Sequence, residues 1–451
     1  MNLPKKKLSN FMFRHGLHFS GFFISVVLLM LYHACVPLQP NTTATAASAK
    51  PLLYQDQTYE PNIHTVLLYP NLRTVNDMIQ PAVSPIEQLI PLRLVFDDLT
   101  TAYEEYYVQI IHCNANWTKS TLNNIEYMYD FNEFPILDNE ISFNTRTPYV
   151  HYTFDLPRVK ISGNYLLIVY RGRDKNDLIL SKRFMIYEQS VIIDPKITNS
   201  SSVGLLRSHQ QLEFNINYGK FNIINPMEEV KVVVRQNQRW DNAIVNLKPT
   251  FISVTLQNLE YRHFDLANNF HGIAEYRFFD LRTVNFLGQN VAKINLEPNK
   301  VTASLFVDKG RGQEAYSQIE DINGQFVISN AETGDGNITG DYVNVQFNLL
   351  ASPTVQGDIY IAGALTNYDY QAANRMVYNP ETKLYHGNLL LKQGFYNYLY
   401  YVKNNSANPY VLEGSHFETE NNYEIIAYYR PVGARSDLII GYASFIYNRR
   451  F

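Results

Sequence analysis

A chain of 451 residues has room for about three domains. Hydrophobic residues at 46% and charged residues at 18% exclude a disordered polymer, and a net charge of −4 without a basic block argues against nucleic-acid binding. The 34 Tyr and 26 Phe against two Trp favour half-buried pleated surfaces, hence a β-rich protein.

The chain begins as an address. Lys5, Lys6, Lys7 and Arg14 precede the short apolar run at 19–32 (FSGFFISVVLLMLY), the layout of a secretory signal over residues 1–34. The run is shorter than the roughly 20 residues a membrane span needs. Losing its four cations takes the formal charge from −4 to about −8. Cys35 stands where a bacterial lipoprotein would be acylated; Ala34 suits that cleavage and Tyr32 and His33 suit it poorly, so lipidation and ordinary cleavage both stay open. Residues 35–53, rich in Thr, Ala, Ser and Pro, read as a flexible tether.

Cys113 is the sole thiol of the body, so no intramolecular disulfide is expected there. It reads as a small buried hydrophobe. His112 beside it would point to the opposite face of a strand, a poor base for a thiol.

The body reads as strands. Residues 211–218 (QLEFNINY) set Leu212, Phe214, Ile216 and Tyr218 against Glu213, Asn215 and Asn217. Residues 341–349 set Val343, Val345, Phe347 and Leu349 against Asn344, Gln346 and Asn348. Period two over eight residues predicts half-buried strands. Further strands are expected at 165–170, 230–234, 358–362, 398–402 and 424–429, with turns at 162–164, Asn323-Gly324 and Gln393-Gly394. One short helix is expected within 120–129. The stretches 193–203 and 329–341 read as linkers, which gives units at 54–190, 191–330 and 341–451. The fold class expected is all-β, with tandem immunoglobulin-like, early-set β-sandwich domains.

No catalytic signature is present: no HExxH, CxxC pair, GxSxG or phosphate loop. No catalytic residue, metal site or cofactor is expected. Asp335, Asn337 and Asp341 lack the alternation and closing Glu of an EF-hand and read as a polar linker. Residues 359–368 (IYIAGALTNY), with 376–378, 385–387 and 391–402 (LKQGFYNYLYYV), resemble early-set modules that include glycogen-binding domains. Tyr368 stands there at the position of the usual sugar-stacking Trp.

A second resemblance covers nearly the whole body. It runs through residues 111–120 (IHCNANWTKS), 126–135 (EYMYDFNEFP), 142–152 (SFNTRTPYVHY), 162–170 (SGNYLLIVY), 236–250 (QNQRWDNAIVNLKPT), 275–281 (EYRFFDL), 413–433 (EGSHFETENNYEIIAYYRPVG) and 434–442 (ARSDLIIGY). These strings resemble the plug protein family of the type IX secretion system of Bacteroidota. Ala274 and Tyr276 around Glu275, and Ser436 before Asp437, depart from the family pattern.

The resemblance implies a non-enzymatic periplasmic subunit, associated with the outer membrane, that seals the periplasmic mouth of the giant translocon β-barrel. The barrel is the expected partner, together with other type IX components, and the membrane is met only through that partner or a lipid anchor. The alternative is a glycan-binding periplasmic or surface lipoprotein. His112, Asn114, Trp117, Asn144, His151, Tyr152, Tyr428, Tyr429 and Arg430 are the candidate partner interface. Asn116 and Thr145 share those strings. The same residues could instead fix loops through hydrogen bonds inside the first sandwich, and Arg430 or Arg435 could pair with Asp437 or Glu424.

Overall fold

The alternation at 211–218 forms the strand His209–Asn217, and that at 341–349 forms Tyr342–Leu350. Both bury the apolar face named above. The structure is a computed structural model, described over residues 50–449 except 75, 101, 220, 353–356 and 404–407. The signal, Cys35 and nearly all of the tether lie outside the described residues. Among the described residues no helix is long and apolar enough to cross a membrane.

Six sheets pair into three sandwiches. In the first, one sheet holds Ile63–Pro70, Leu92–Asp98, Val150–Asp155 and Asp138–Ile141 in spatial order. The facing sheet runs Gln57–Thr58, Leu178–Tyr187, Gly163–Arg171, Tyr106–Cys113 and Phe134–Pro135, with Val83–Pro85 added in parallel. The expected helix is a single turn, Asn124–Tyr127, closed by a capping box between Asn123 and Glu126.

In the second sandwich, Ile192–Asn199, His209–Asn217, Asn258–Tyr261 and Phe251–Ser253 form one sheet. The other sheet is Ile244–Leu247, Val230–Gln236, Asn421–Tyr429 and Leu438–Tyr447. The expected linker at 193–203 is therefore mostly strand. Pro195 is tolerated there because Ile192–Asn199 is an edge strand.

The third sandwich packs Val291–Glu297, Lys300–Lys309, Tyr342–Leu350, Leu384–Lys392 and Val377–Asn379 against Arg277–Asp280, Gly394–Lys403, Phe326–Ile328 and Asp358–Ala362.

The sandwiches are not consecutive in the chain. Arg277–Asp280 already pairs with Gly394–Lys403 of the third, and Asn421–Tyr429 returns to pair with Val230–Gln236 of the second. The third sandwich is thus an insertion, and the boundaries expected near 330 and 341 fall inside it. The two crossings are fastened together: Glu413, fully buried, takes Arg277 Nε at 3.0 Å and Arg311 Nε at 2.7 Å. Pro, Gly, Asn and Asp mark where a strand ends, not which strand it pairs with, so composition placed the breaks in the wrong hierarchy.

The first and second sandwiches share a third apolar layer. In Gly163–Arg171, Tyr165, Leu167 and Val169 enter the core of the first sandwich, whereas Leu166, Ile168 and Tyr170 enter the layer between the two. Across that layer Val233, Ile426 and Tyr428 meet them, while Val232, Val234 and Ile425 serve the core of the second. Two central sheets are consequently buried on both faces, which explains the unbroken apolar run YLLIVY at 165–170. Each aliphatic or aromatic side chain so buried contributes about 1.5–3 kcal/mol.

Candidate functional site

Several of the strings that carried the resemblance meet at the seams between sandwiches. Asn114 to Trp117 form a tight turn after Tyr106–Cys113, closed by Trp117 N–H donating to Asn114 O at 2.9 Å. Trp117 sits there at φ +61°, a conformation that costs a bulky residue about 1–3 kcal/mol and needs compensation from packing. The compensation is Trp240 of the second sandwich, whose ring lies 5.0 Å away edge-on.

Beside this turn Asp437, 1% exposed, accepts from Ala115 N–H at 2.8 Å and Lys231 Nζ at 2.9 Å, and forms an ion pair with Arg430 Nε at 3.0 Å. Arg430 also donates to Asn114 Oδ1. Tyr428 O–H donates to Asn164 Oδ1 at 2.9 Å. Arg430 thus pairs with Asp437, one of the alternatives read above, and Arg435 pairs instead with Glu126.

His112, Trp117, His151, Tyr152 and Tyr428 are buried, so burial withdraws these five from any partner surface. His112 packs edge-on to Tyr165 at 4.9 Å, and burial pushes its imidazole down to about 4. Gly163, at φ +148°, leaves room for that ring, and a Cβ there would overlap His112 Nε2. Tyr152 stacks on Phe96 at 5.0 Å and its hydroxyl donates to Glu104 O. Tyr429, half-buried, packs on Phe221 edge-on at 4.9 Å. Asn114 and Arg430 are half-buried within the seam.

The seam between the first and third sandwiches centres on a carboxylate that sequence reasoning missed. Asp97 and Lys392 have fully buried side chains 2.6 Å apart. Asp97 also meets His151 Nδ1 at 2.6 Å and accepts from Tyr342 O–H at 2.7 Å. Burial opposes ionisation of Asp97, but the Lys392 ammonium and His151 outweigh it and hold the carboxyl below its usual range. The expected linker at 329–341 docks beside this pair: Phe143 N–H donates to Ile338 O at 2.8 Å, Tyr149 O–H to Gly340 O at 2.9 Å, and Arg146 N–H to Asp341 Oδ1 at 2.6 Å. Asp335 caps the turn Gly336–Thr339 through Asn337 N–H. The signal for Asp97 was two acids closing a strand that is apolar apart from Arg93, LRLVFDD.

Asn144 alone of the nine candidates is exposed, and it borders a surface of different character. Along one flank of the first sandwich Ile125, Phe131, Leu137, Ile141 and Phe143 are 71–82% exposed. The flank is where both sheets end, at the edge strands Phe134–Pro135 and Asp138–Ile141. Exposed apolar patches beside open strand edges mark surfaces that meet another protein.

Little here supports covalent chemistry. Burial pushes the Cys113 thiol up to about 12, and His112 lies on the other strand face, as alternation required. Among the described residues no group of three His, Cys, Asp or Glu is placed to hold a metal ion. Tyr368 is 6% exposed beneath the Arg239 guanidinium, which lies 4.5 Å over its ring, and offers no open platform for a sugar.

Comparison with known proteins bears on this geometry. Residues 63–188, which span most of the first sandwich, match the family model described as type 9 secretion system plug protein 1st domain. No curated protein matches the chain. The crystal structure at 2.30 Å of a hypothetical protein from Parabacteroides merdae ATCC 43184 is similar with a TM-score of 0.83 and 30% identity, over 88% of this chain and 100% of that one. With the matched domain and the convergence of the resemblance strings on its seams, the chain belongs to the type IX secretion system plug family.

Proposed function

We propose that this protein seals the periplasmic mouth of the outer-membrane translocon barrel, as a non-catalytic subunit that leaves when a substrate or carrier engages. The family match over the first sandwich carries this reading, and the packing between the sandwiches supports it. Sealing needs a broad face on a body that does not deform, and the apolar layer between the first two sandwiches together with the Asp97–Lys392 seam stiffens the body. The flank from Ile125 to Phe143, with Asn144, is the face assigned to the barrel. It is apolar enough to adhere, and the contact it makes must be displaceable, as a transient one is. The location is then periplasmic at the outer membrane, and Cys35, if acylated, would hold the protein near its partner.

The test is affinity purification of the tagged protein from detergent-solubilised outer membranes. Near-equal recovery of a very large barrel protein is expected, and a deletion strain should admit large antibiotics while still secreting. Recovery of no barrel, with unchanged permeability, would overturn the proposal.

A further inference from the structure

Where the three sandwiches meet, a cavity of about 310 Å³ opens to solvent past Gln80 and Asn367. That is room for about ten waters at roughly 30 Å³ each. Both tryptophans of the chain line it. The Arg183 guanidinium lies against both rings, 5.3 Å over Trp117 and 5.0 Å over Trp240. The third sandwich contributes Asp369 to the lining.

The hydrogen-bonding groups of this cavity are incompletely engaged. Asp56 is the only carboxylate in contact with Arg183 among the described residues, and it is shared. It takes Lys182 Nζ at 2.8 Å and Arg183 N–H at 2.8 Å, leaving Arg183 Nε a long 3.4 Å approach. The two terminal nitrogens of Arg183 have no protein acceptor among the described residues, although the side chain is only 16% exposed. Arg235, bound to Glu424 at 2.7 Å, presses a second guanidinium on Trp240 at 4.6 Å. The buried Trp117 indole N–H has no acceptor among the described residues either. Asp369 in turn has one weak donor among the described residues, Gln371 Nε2 at 3.5 Å.

Aligned donors on a flat guanidinium match a carboxylate bidentately. A purely anionic guest would face Asp369 and Asp241, and a purely cationic one would face Arg183. A guest carrying both signs meets both walls. We infer that this cavity binds a free α-amino acid, its carboxylate on Arg183 and the Trp117 indole N–H and its ammonium toward Asp369. Because the walls come from all three sandwiches, the bound molecule holds them together, whether or not the protein seals a barrel. Occupancy then stabilises the whole chain by mass action.

The two tryptophans give a direct readout, since no others contribute to the signal. The purified mature protein is titrated with each standard L-amino acid up to about 1 mM, an affinity worth about 4 kcal/mol, while intrinsic fluorescence and melting temperature are followed. At least one amino acid is expected to give a saturable fluorescence change and a higher melting temperature. Its amide and its des-amino acid should each bind about tenfold or more weakly, a loss of about 1.4 kcal/mol per group. Arg183→Gln should abolish the response. Asp369→Asn, whose side chain has the single long contact, should fold normally and bind the amino acid no better than the des-amino acid. No saturable change with any amino acid, or an undiminished one in folded Asp369→Asn, would overturn the inference.

Discussion

Replacing Lys392 by Met removes one charge from a pair whose side chains are both fully buried. Met keeps the volume and the apolar stem, so the perturbation is electrostatic. The Asp97 carboxylate would keep His151 and Tyr342 but lose its one permanent cation. Asn337 O, which also accepts from Lys392, would keep the Tyr149 hydroxyl at 3.0 Å and is not orphaned. The cost is therefore that of stranding a buried charge, about 3–5 kcal/mol. Urea unfolding of the wild type, Lys392→Met, Asp97→Asn and the double variant measures it as a cycle. The double variant should recover at least half the loss, because the amide that replaces the Asp97 carboxylate is neutral and can still accept from Tyr342. Acid sharpens the expectation. Asp97 is held below the usual carboxyl range, so its stabilisation is present above about pH 4 and is lost as pH falls through the lower folded value. In Lys392→Met that loss begins at higher pH. A cost below about 1 kcal/mol for Lys392→Met would refute the reasoning, because a buried carboxylate cannot lose its cation so cheaply unless water already reaches it.

Other seams and surfaces give further expectations. His112 is held down to about 4 by burial, so its contribution is complete above pH 6.5 and fades toward pH 4; that loss amounts to about 3 kcal/mol, and His112→Gln should flatten that part of the stability profile. Gly163→Ala sets a Cβ onto the same imidazole at a positive φ and should cost about 2–4 kcal/mol by urea unfolding. Asp437→Asn weakens one bond across the first seam, from Ala115 N–H, and two ion pairs, to Lys231 and Arg430, that hold the carboxylate in place; it should cost about 3 kcal/mol, read most directly as faster hydrogen exchange at Ala115. Phe131→Ser with Ile141→Lys, both exposed, should leave stability within about 1 kcal/mol yet abolish co-purification of the barrel; retained co-purification would remove the flank from the proposed contact.

The strands were legible because alternation is local. Residues 211–218 and 341–349 state their faces in their own order, and the run at 165–170 identified a strand even though its two-sided burial needed a partner sheet to explain it. The insertion was not legible. Nothing in residues 424–429 says that they pair with 230–236, nearly two hundred positions earlier, because pairing is decided by apolar faces meeting in space. The polar strings misled in a similar way. Asn114, Trp117, His151 and Tyr428 have side chains common at interfaces, and they do sit at interfaces, but at those between sandwiches of one chain. The turn fixed by Asn114, Asn116 and Thr118 follows the loop-fixing alternative. Asp97 escaped notice because a carboxylate at a strand end usually faces water.

The inserted third sandwich has a mechanical consequence. A domain hung on one strand of chain can swivel about it, and a thrust on its far end is lost as rotation. Here two chain crossings leave the second sandwich side by side, clasped through Glu413 by Arg277 and Arg311. Two parallel attachments resist torsion as a pair of hinge pins does. A push delivered to the third sandwich is thereby passed to the first as displacement of the whole molecule, so a competitor that touches only one end can lift the other.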